Sequence, residues 1–216
     1  MRHLSLVKPV SRLREEQRQT EEVLLEQFGL SFIRGSLAEI TGRAGSGKTS
    51  LMFSLLAKLT AAGEICAVVD SNGSFDPCTA YHAGVQLENL LWVRCDGDVE
   101  KTFMSADYLV QAKGFGSIWL DLSGLPANKL RLVPKTYWYR YRTRIKETPT
   151  LMFVTSKEPV TGSASQRAFE FSRERTVWSG KGKFKLLREF YLKMLSRKEI
   201  YSEPFRIKIE VDYTDV

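Results

Sequence analysis

The clearest chemical signal in the sequence is a glycine-rich segment that ends in lysine and threonine. It is Gly42-Arg-Ala-Gly-Ser-Gly-Lys48-Thr49, which matches the phosphate-loop pattern G-x-x-x-x-G-K-[ST]. Glycines let the backbone curl so that successive N–H groups point at phosphate oxygens, and a helix that begins here adds partial positive charge. In this pattern the lysine bridges the β- and γ-phosphates and the threonine hydroxyl ligates Mg²⁺. We therefore predict a site for a nucleoside triphosphate with Mg²⁺, formed by Gly42, Arg43, Ala44, Gly45, Ser46, Gly47, Lys48, Thr49 and Ser50.

A site of this kind also needs a carboxylate at the end of a hydrophobic strand beside the loop. The segment Ser117-Ile-Trp-Leu-Asp121 fits, so Asp121 is the first candidate for the carboxylate on the magnesium side. Asp70 also ends a hydrophobic segment and is the competing candidate.

Hydrophobic segments and helical patterns alternate around these residues. Strands are expected at residues 36–41, 65–70, 90–93, 117–121 and 151–155. Helices are expected over residues 48–59, from Asp76-Pro77 onward, over residues 98–112 and over residues 134–147. Alternation of this kind indicates βαβ crossovers and a mainly parallel sheet flanked by helices, so the expected fold class is α/β.

After residue 155 the hydrophobic pattern changes to strict alternation. Three segments show it: Phe169/Phe171, Phe190/Leu192/Met194 and Phe205/Ile207/Ile209/Val211. Alternation with charged residues predicts an antiparallel extension of the sheet with one wet face, and Gly180-Lys-Gly-Lys183 supplies a turn. Upstream, residues 11–28 carry a thin apolar stripe among many charges, which predicts a helix that is solvated or fits a partner. The expected organisation is an N-terminal helical segment, residues 1–30, and a nucleotide-binding domain, residues 31–216.

The order of these motifs resembles the ATPase core of RecA-type recombinases. The residues that carry the resemblance are Glu39-Ile-Thr-Gly-Arg-Ala-Gly-Ser-Gly-Lys-Thr49, Val69-Asp70, Phe75-Asp-Pro77, Gly84-Val-Gln-Leu-Glu-Asn-Leu-Leu-Trp-Val93 and Leu120-Asp121. The match covers about residues 30–160 well and the later strands more loosely. It implies a RecA-like core that binds ATP with Mg²⁺.

One departure from that family bears on hydrolysis. In recombinases the loop after the second strand carries a glutamate that activates water, and the matching position here is Asn72. Asparagine can orient a water molecule but cannot take its proton. We therefore expect nucleotide binding with slow or absent turnover, unless another carboxylate such as Asp76 or Asp121 acts instead.

A second departure concerns the two connections in which recombinases place their DNA-binding loops. Here residues 122–130 and 156–163 stand in their place and are short, which argues against homologous pairing and regular filament growth but leaves a homo-oligomer open. With these departures the chain resembles ImuA, a RecA-like accessory family of bacterial mutagenic repair. The carrying segments are Phe75-Asp-Pro77, Leu90-Leu-Trp-Val-Arg94, Pro159-Val-Thr-Gly-Ser163 and Ser172-Arg-Glu-Arg-Thr-Val-Trp178. That resemblance implies a role in damage-induced (SOS) translesion synthesis through a polymerase-like repair partner.

Charge is distributed unevenly along the chain. The formal net charge is +7, yet residues 1–128 hold 12 basic and 15 acidic side chains, and residues 129–216 hold 20 and 10. One basic cluster, with Arg140 and Arg144, lies on a helix whose Trp138, Tyr141 and Ile145 share another face. A second cluster surrounds the late turn: Arg173, Arg175, Lys181, Lys183, Lys185 and Arg188. Each cluster could bind single-stranded DNA or an acidic partner, and a merely solvated surface is the alternative.

Composition excludes several classes of protein. No stretch approaches the roughly 18 apolar residues of a membrane-spanning helix, so no membrane partner is expected. No apolar core follows the basic start, so a secretory signal is not expected. Three cysteines without C-x-x-C spacing and two histidines support neither a zinc site nor a disulfide framework, which favours a reducing cytoplasm. The resemblance to the ImuA family implies that this cytoplasm is bacterial.

Three functions remain open from the sequence. The first is a nucleotide-binding regulatory protein of DNA repair. The second is an active ATPase that acts on DNA, and the third is an interaction module whose phosphate loop is vestigial.

Overall fold

The structure, a computed structural model, describes residues 22–183, 185–199 and 203–210. The strands of these residues are β1 (Glu22–Leu25), β2 (Leu30–Ile33), β3 (Leu37–Thr41), β4 (Cys66–Asp70), β5 (Leu90–Arg94), β6 (Ser117–Asp121), β7 (Leu151–Ser156), β8 (Arg167–Ser179), β9 (Leu186–Ser196) and β10 (Phe205–Glu210). The α-helices are α1 (Lys48–Ala61), α2 (Pro77–His82), α3 (Val99–Ala112), α4 (Ala127–Arg131) and α5 (Thr136–Ile145).

Eight of these strands form one sheet in the order β10-β9-β8-β3-β7-β6-β4-β5. The strands from β8 to β5 run parallel to their neighbours, and β9 and β10 extend the sheet in antiparallel fashion. The predicted α/β fold with a mainly parallel sheet and an antiparallel extension is therefore confirmed. The change of direction comes at the turn after Ser179, because β8 is itself parallel to β3.

The central strands are buried on both faces, since successive side chains point to opposite sides of the sheet. On one face, Val68 and Trp119 pack in a cluster with α1 and the β1–β2 hairpin. On the other face, Val69 and Leu120 pack in a cluster with α3 and α5. Helices thus cover both faces, which is the condition under which a parallel sheet with continuous hydrophobic strands is stable.

The parallel strands all deliver their carboxyl ends to one edge of the sheet. Asp121 lies opposite Asp70 on one neighbouring strand and opposite Thr155 on the other. Thr41 at the end of β3 lies opposite Ser156 at the end of β7. Ligand sites of open α/β sheets form outside such carboxyl ends, and the phosphate loop begins here.

The helix expected over residues 11–28 is wrong where the structure describes that segment. Residues 22–28 form β1 and one 3-10 turn, Glu26–Phe28, and β1 pairs with β2 in antiparallel register. Val23 and Leu25 are buried beneath α1 while Leu24 is 46% exposed, so the local period is two and not 3.6. Residues 11–21 lie outside the described residues, and the division of the chain at residue 30 stays a prediction.

None of the described helices combines the length and apolar character that crossing a membrane requires.

Candidate functional site

The glycine-rich segment forms a tight loop between the end of β3 and the start of α1. Gly45 and Gly47 have φ of +71° and +91°, in the left-handed region that residues with a Cβ rarely adopt. Gly47 is the N-cap of α1, and no side chain accepts a hydrogen bond there. The first turn of α1 also contains no acidic residue. Its backbone N–H groups are therefore available to an anionic ligand, as a phosphate site requires.

The hairpin of β8 and β9 closes against this loop. A Cβ atom on Gly42 would lie 2.3 Å from the carbonyl oxygen of Phe171, and one on Gly47 would lie 2.4 Å from Leu192 Cδ1. The backbone of Phe171 and the buried side chain of Leu192 cannot easily move aside, so residues 42 and 47 both have to be glycine. The late strands thus fix the shape of the phosphate loop.

Lys48 is buried inside the loop and donates hydrogen bonds to the carbonyl oxygens of Gly42 and Arg43. Burial lowers the pKa of its ammonium, and the negative charge of Asp121 partly opposes this shift. The hydroxyl of Ser46 is buried with no hydrogen-bond partner among the described residues. A buried cation and an unsatisfied hydroxyl in one loop fit the oxygens of a polyphosphate.

The loop lines a cavity of about 380 Å³, which we call the phosphate cavity. Its walls include the loop and first helical turn predicted from the sequence, from Arg43 to Ser50, together with Asp121. The remaining lining residues are Ser74, Phe75, Trp119, Ser123, Thr155 and Phe190. The structure therefore brings the predicted phosphate-binding and magnesium-side residues to one concave site.

Asp121 is held in place by donors from three directions. Thr155 Oγ1 and the backbone N–H of Ser123 donate to its Oδ1 at 2.7 and 3.0 Å, and Ser74 Oγ donates to its Oδ2 at 3.1 Å. Trp119 Nε1 donates to Thr155 Oγ1 at 2.8 Å and so orients that hydroxyl. Because β7 separates β6 from β3, Asp121 faces the loop across Thr155. This placement supports Asp121 as the carboxylate on the magnesium side.

Asp70, the competing candidate, has a structural role. Backbone N–H groups of Asn72 and Ser74 donate to its Oδ1 at 3.2 and 3.0 Å, and that of Phe75 donates to its Oδ2 at 2.9 Å. Burial acts to raise the pKa of Asp70, but these hydrogen bonds outweigh it and hold that pKa below its usual value. Asp70 is not among the residues that line the phosphate cavity; it organises the loop after β4.

The structure does not bring Asn72 or Asp76 into the phosphate cavity. Asn72 is exposed and packs on Gly124, where an added Cβ would lie 2.2 Å from Asn72 Cβ. Asp76 is the N-cap of α2 and accepts hydrogen bonds from the backbone of Cys78 and Thr79 at 3.1 and 3.2 Å. Asp76 therefore has a capping role and is not positioned as a substitute base.

Several lining residues were missed by the sequence reasoning. Thr155 was assigned only to a hydrophobic strand, although a hydroxyl at the carboxyl end of a parallel strand is a usable signal. Ser74 Oγ donates to Asp121 Oδ2 at 3.1 Å and also lies 3.4 Å from Asp70 Oδ1, and no motif marks this residue. Phe190 reaches the cavity from β9, and nothing in its alternating pattern distinguishes it from other core residues.

The two basic clusters differ in the structure. On α5, Trp138, Tyr141 and Ile145 are buried, and both arginines of the opposite face pair with Asp107 Oδ1: Arg140 Nε at 2.9 Å and Arg144 Nη1 at 2.7 Å. The helix cluster thus belongs to a core-facing helix whose outer charge is partly compensated by Asp107. The late-hairpin side chains are all exposed: Arg173, Arg175, Lys181, Lys183, Lys185 and Arg188.

A larger cleft, about 890 Å³, lies between α3 and the segment of α4 and α5. Phe103, Met104, Leu132 and Tyr137 are among its lining residues, and neither the phosphate loop nor Asp121 contributes to it. We therefore place the candidate site at the phosphate cavity, where the predicted residues converge.

Comparison with known sequences gives one consistent family. A model described as the RecA N-terminal domain matches residues 23–129. The chain is 35% identical over 88 residues to Protein RecA of Rubrobacter xylanophilus, covering 41% of the chain and 25% of that protein. It is 32% identical over 114 residues to Protein RecA of Borrelia duttonii, covering 52% of the chain and 31% of that protein. The chain thus matches about a third or less of the length of these relatives.

Comparison of the folds agrees with the sequence match. A crystal structure of the RadB recombinase superposes with a TM-score of 0.60 at 12% identity, over 83% of this chain and 88% of that one. At this identity the superposition supports the fold alone. The matched sequence of residues 23–129 and the shared fold together support a RecA-like superfamily for this chain.

Proposed function

We propose that this chain is a RecA-like accessory protein of DNA repair that binds ATP with Mg²⁺ and hydrolyses it slowly or not at all. In this proposal the nucleotide-bound form acts through a protein partner. The observation that carries the proposal is the phosphate cavity, in which Lys48, Thr49 and Asp121 converge around an uncapped helix start.

The cavity supports specific roles for its residues. The loop N–H groups and Lys48 would hold the phosphates, and the Ser46 hydroxyl would gain the partner that it lacks. Thr49 would ligate Mg²⁺, and Asp121, fixed by Thr155 and Ser123, would accept from its bound water. When bound, the metal would neutralise charge on the phosphates.

Weak turnover is supported by what is missing from the cavity walls. Hydrolysis requires a group that positions or deprotonates the attacking water. Asn72 faces Gly124 and Asp76 caps α2, so neither lines the cavity. Asp121 already accepts three hydrogen bonds that fix its carboxylate in place, which favours a metal-side role over proton transfer.

The finer assignment is to the ImuA type, with a role in SOS-induced translesion synthesis beside a polymerase-like partner. It is supported by the short connections after β6 and β7. Leu122 and Leu125 of the first connection are buried, and Val160 and Thr161 of the second donate backbone hydrogen bonds to buried Glu39 at 2.6 and 2.8 Å. Both segments are packed onto the core, where recombinases would project DNA-binding loops. The exposed late hairpin is then the surface available to single-stranded DNA.

Nucleotide titration tests the central proposal. We expect ATP to bind in the presence of Mg²⁺ and Lys48→Ala to abolish binding, because a buried cation at the phosphates is lost. Lys101→Ala removes an exposed lysine side chain on α3, away from the phosphate loop, and is the matched control. Unchanged affinity is expected for this variant. Equal affinity of the Lys48→Ala variant and the unmodified protein would refute a functional phosphate loop and favour the interaction module.

Phosphate release tests the second part. We expect the unmodified protein with ATP, Mg²⁺ and single-stranded DNA to release no more phosphate than Lys48→Ala does. Asn72→Glu restores a carboxylate at the position that differs from recombinases, but Asn72 packs on Gly124 outside the phosphate cavity, so we expect this variant to turn over ATP no faster than the unmodified protein. Rapid DNA-dependent turnover by the unmodified protein would instead establish the active ATPase.

A further inference from the structure

Arg173 of β8 lies at the phosphate loop although no pattern in the sequence connects the two. A Cβ atom on Gly45 would meet Arg173 Nη1 at 3.9 Å and no nearer atom. Gly45 is at the outer turn of the loop and lines the phosphate cavity. The guanidinium of Arg173 therefore lies directly beside the loop that would hold the phosphates.

An irregularity in the hairpin gives Arg173 this orientation. In the β8–β9 register Arg173 lies opposite Leu192, whereas Arg175 lies opposite Tyr191, so Glu174 is an extra residue. Leu192 and Tyr191 are consecutive and point to opposite faces of the sheet. Leu192 packs on Gly47 of the loop, and Arg173 shares its face. Without the irregularity, Arg173 and Arg175 would both point the same way.

The two arginines consequently differ in their partners. Arg175 stacks over the ring of Tyr191, with its Cζ 5.0 Å from the ring centroid. The side chain of Arg173 is exposed and makes no hydrogen bond or ion pair with any residue that the structure describes. Nearby Arg206 is paired with Glu174 at 3.0 Å. Arg173 is thus a cation directed at the phosphate loop with its donors free.

We propose that Arg173 is a further phosphate ligand of the nucleotide site, acting within the same chain. This inference rests on the proposed nucleotide binding and deepens it. The planar guanidinium would donate two hydrogen bonds to one phosphate group, in addition to the contact from Lys48 within the loop. The ligand class that it selects is a nucleoside di- or triphosphate, whose phosphate chain extends across the loop.

The role would make the late hairpin part of the nucleotide site. Phe171, Leu192 and Phe190 already contact the loop or line its cavity. Arg173 adds charge to this apolar wall, so the bound phosphates would lie between the loop and the hairpin. A bidentate contact also explains why lysine at this position would be a poor substitute.

The test compares four variants with the unmodified protein by calorimetric titration of ATP and of ADP, each with Mg²⁺: Lys48→Ala, Arg173→Ala, Arg173→Lys and Arg175→Ala. Arg173→Ala should weaken binding by about tenfold or more, as expected when a charge-assisted pair of hydrogen bonds is removed. Arg173→Lys should recover only part of this affinity. Arg175→Ala, two residues away on the other face, should bind as the unmodified protein does. Thermal unfolding without nucleotide should show that both Arg173→Ala and Arg175→Ala are folded, with melting temperatures within a few degrees of the unmodified protein, since both side chains are exposed.

The outcomes separate this inference from the proposal beneath it. If the unmodified protein binds, Lys48→Ala does not, and Arg173→Ala binds with unchanged affinity, the nucleotide site stands and the role of Arg173 is refuted. The same conclusion follows if Arg173→Ala and Arg175→Ala lose affinity equally. If the unmodified protein fails to bind ATP and ADP, both proposals are refuted together.

Discussion

Two aspartates at equivalent strand ends show how single residues of one type take different roles. Asp70 and Asp121 lie directly opposite each other on β4 and β6. Asp70 is saturated by backbone donors of its own loop, whereas Asp121 accepts from side chains that line the phosphate cavity. The hydrogen-bond donors around each carboxylate decide between structural and ligand-facing roles.

The role of Asp70 predicts an acid-sensitive contribution to stability. Its pKa is lowered in the folded state, so the stabilisation is present above the pKa of the unfolded side chain, about 3.9. It is lost as the pH falls through the lower folded-state pKa. Asp70→Asn has one acceptor oxygen for three backbone donors, and we expect it to lower the free energy of unfolding by about 1–3 kcal/mol at pH 7.

Urea unfolding at pH 7 and at pH 3 checks this expectation. The difference in stability between the variant and the unmodified protein should shrink at the lower pH, because the carboxylate begins to protonate there. A difference that stays constant between the two pH values would contradict a role for the ionised Asp70.

Among the elements, the hairpin of β8 and β9 brings residues of the basic C-terminal part of the chain, residues 129–216, next to the phosphate cavity. Its base packs on the phosphate loop through Phe171 and Leu192, and its tip carries exposed lysines at the turn. Helix α5 has three arginines against six cations in the hairpin cluster, and Asp107 pairs with two of the three, Arg140 and Arg144. Of the two basic clusters, the hairpin retains more uncompensated charge.

This contrast predicts where single-stranded DNA binds. Replacing Lys181, Lys183 and Lys185 with alanine together should weaken binding and reduce the slope of log affinity against log salt by about 0.7 for each DNA phosphate that the variant leaves without a cation. Arg140→Ala/Arg144→Ala, as the comparison variant, should leave the slope close to that of the unmodified protein. Fluorescence anisotropy of a labelled oligonucleotide at several salt concentrations measures both. A slope near zero for the unmodified protein would remove the DNA-binding surface from the proposal.

At the scale of the whole molecule, the candidate site draws on three strands of the sheet, the loops beside them and the start of one helix. The phosphate cavity takes residues from the ends of β6 and β7, the loop after β4, the start of α1 and the middle of β9. A ligand there contacts segments far apart in the chain and binds only when all of them are assembled. Binding should therefore be coupled to global unfolding.

That coupling gives a prediction that can be tested without measuring ATP hydrolysis. ATP with Mg²⁺ at about 100 times its dissociation constant should stabilise the fold by about 2.7 kcal/mol and raise the melting temperature by roughly 5–10 °C. Lys48→Ala should melt at the same temperature with and without nucleotide. Calorimetric or fluorescence melting curves measure the shift. An equal shift in both proteins would place the bound nucleotide elsewhere.

The sequence by itself determined the alternating α/β core, the phosphate loop and Asp121, because these depend on local patterns. These features depend on residues that are close in sequence: the glycine spacing, the hydrophobicity of each strand and the helix cap at Asp76. They can therefore be predicted from the sequence alone. The short strand β1 was mistaken for part of a helix, because four residues among many charges give no reliable period and only pairing with β2 decides the conformation.

Only the tertiary structure decided which distant residues lie beside the phosphate loop and its cavity. Arg173, Phe190 and Thr155 come to the loop through strand order and one irregularity in the β8–β9 register, and neither is encoded in local spacing. Likewise, the pairing of Arg140 and Arg144 with Asp107 depends on how α5 lies against α3. Contacts between distant segments are determined by the packing of the whole core, so local sequence patterns do not predict them.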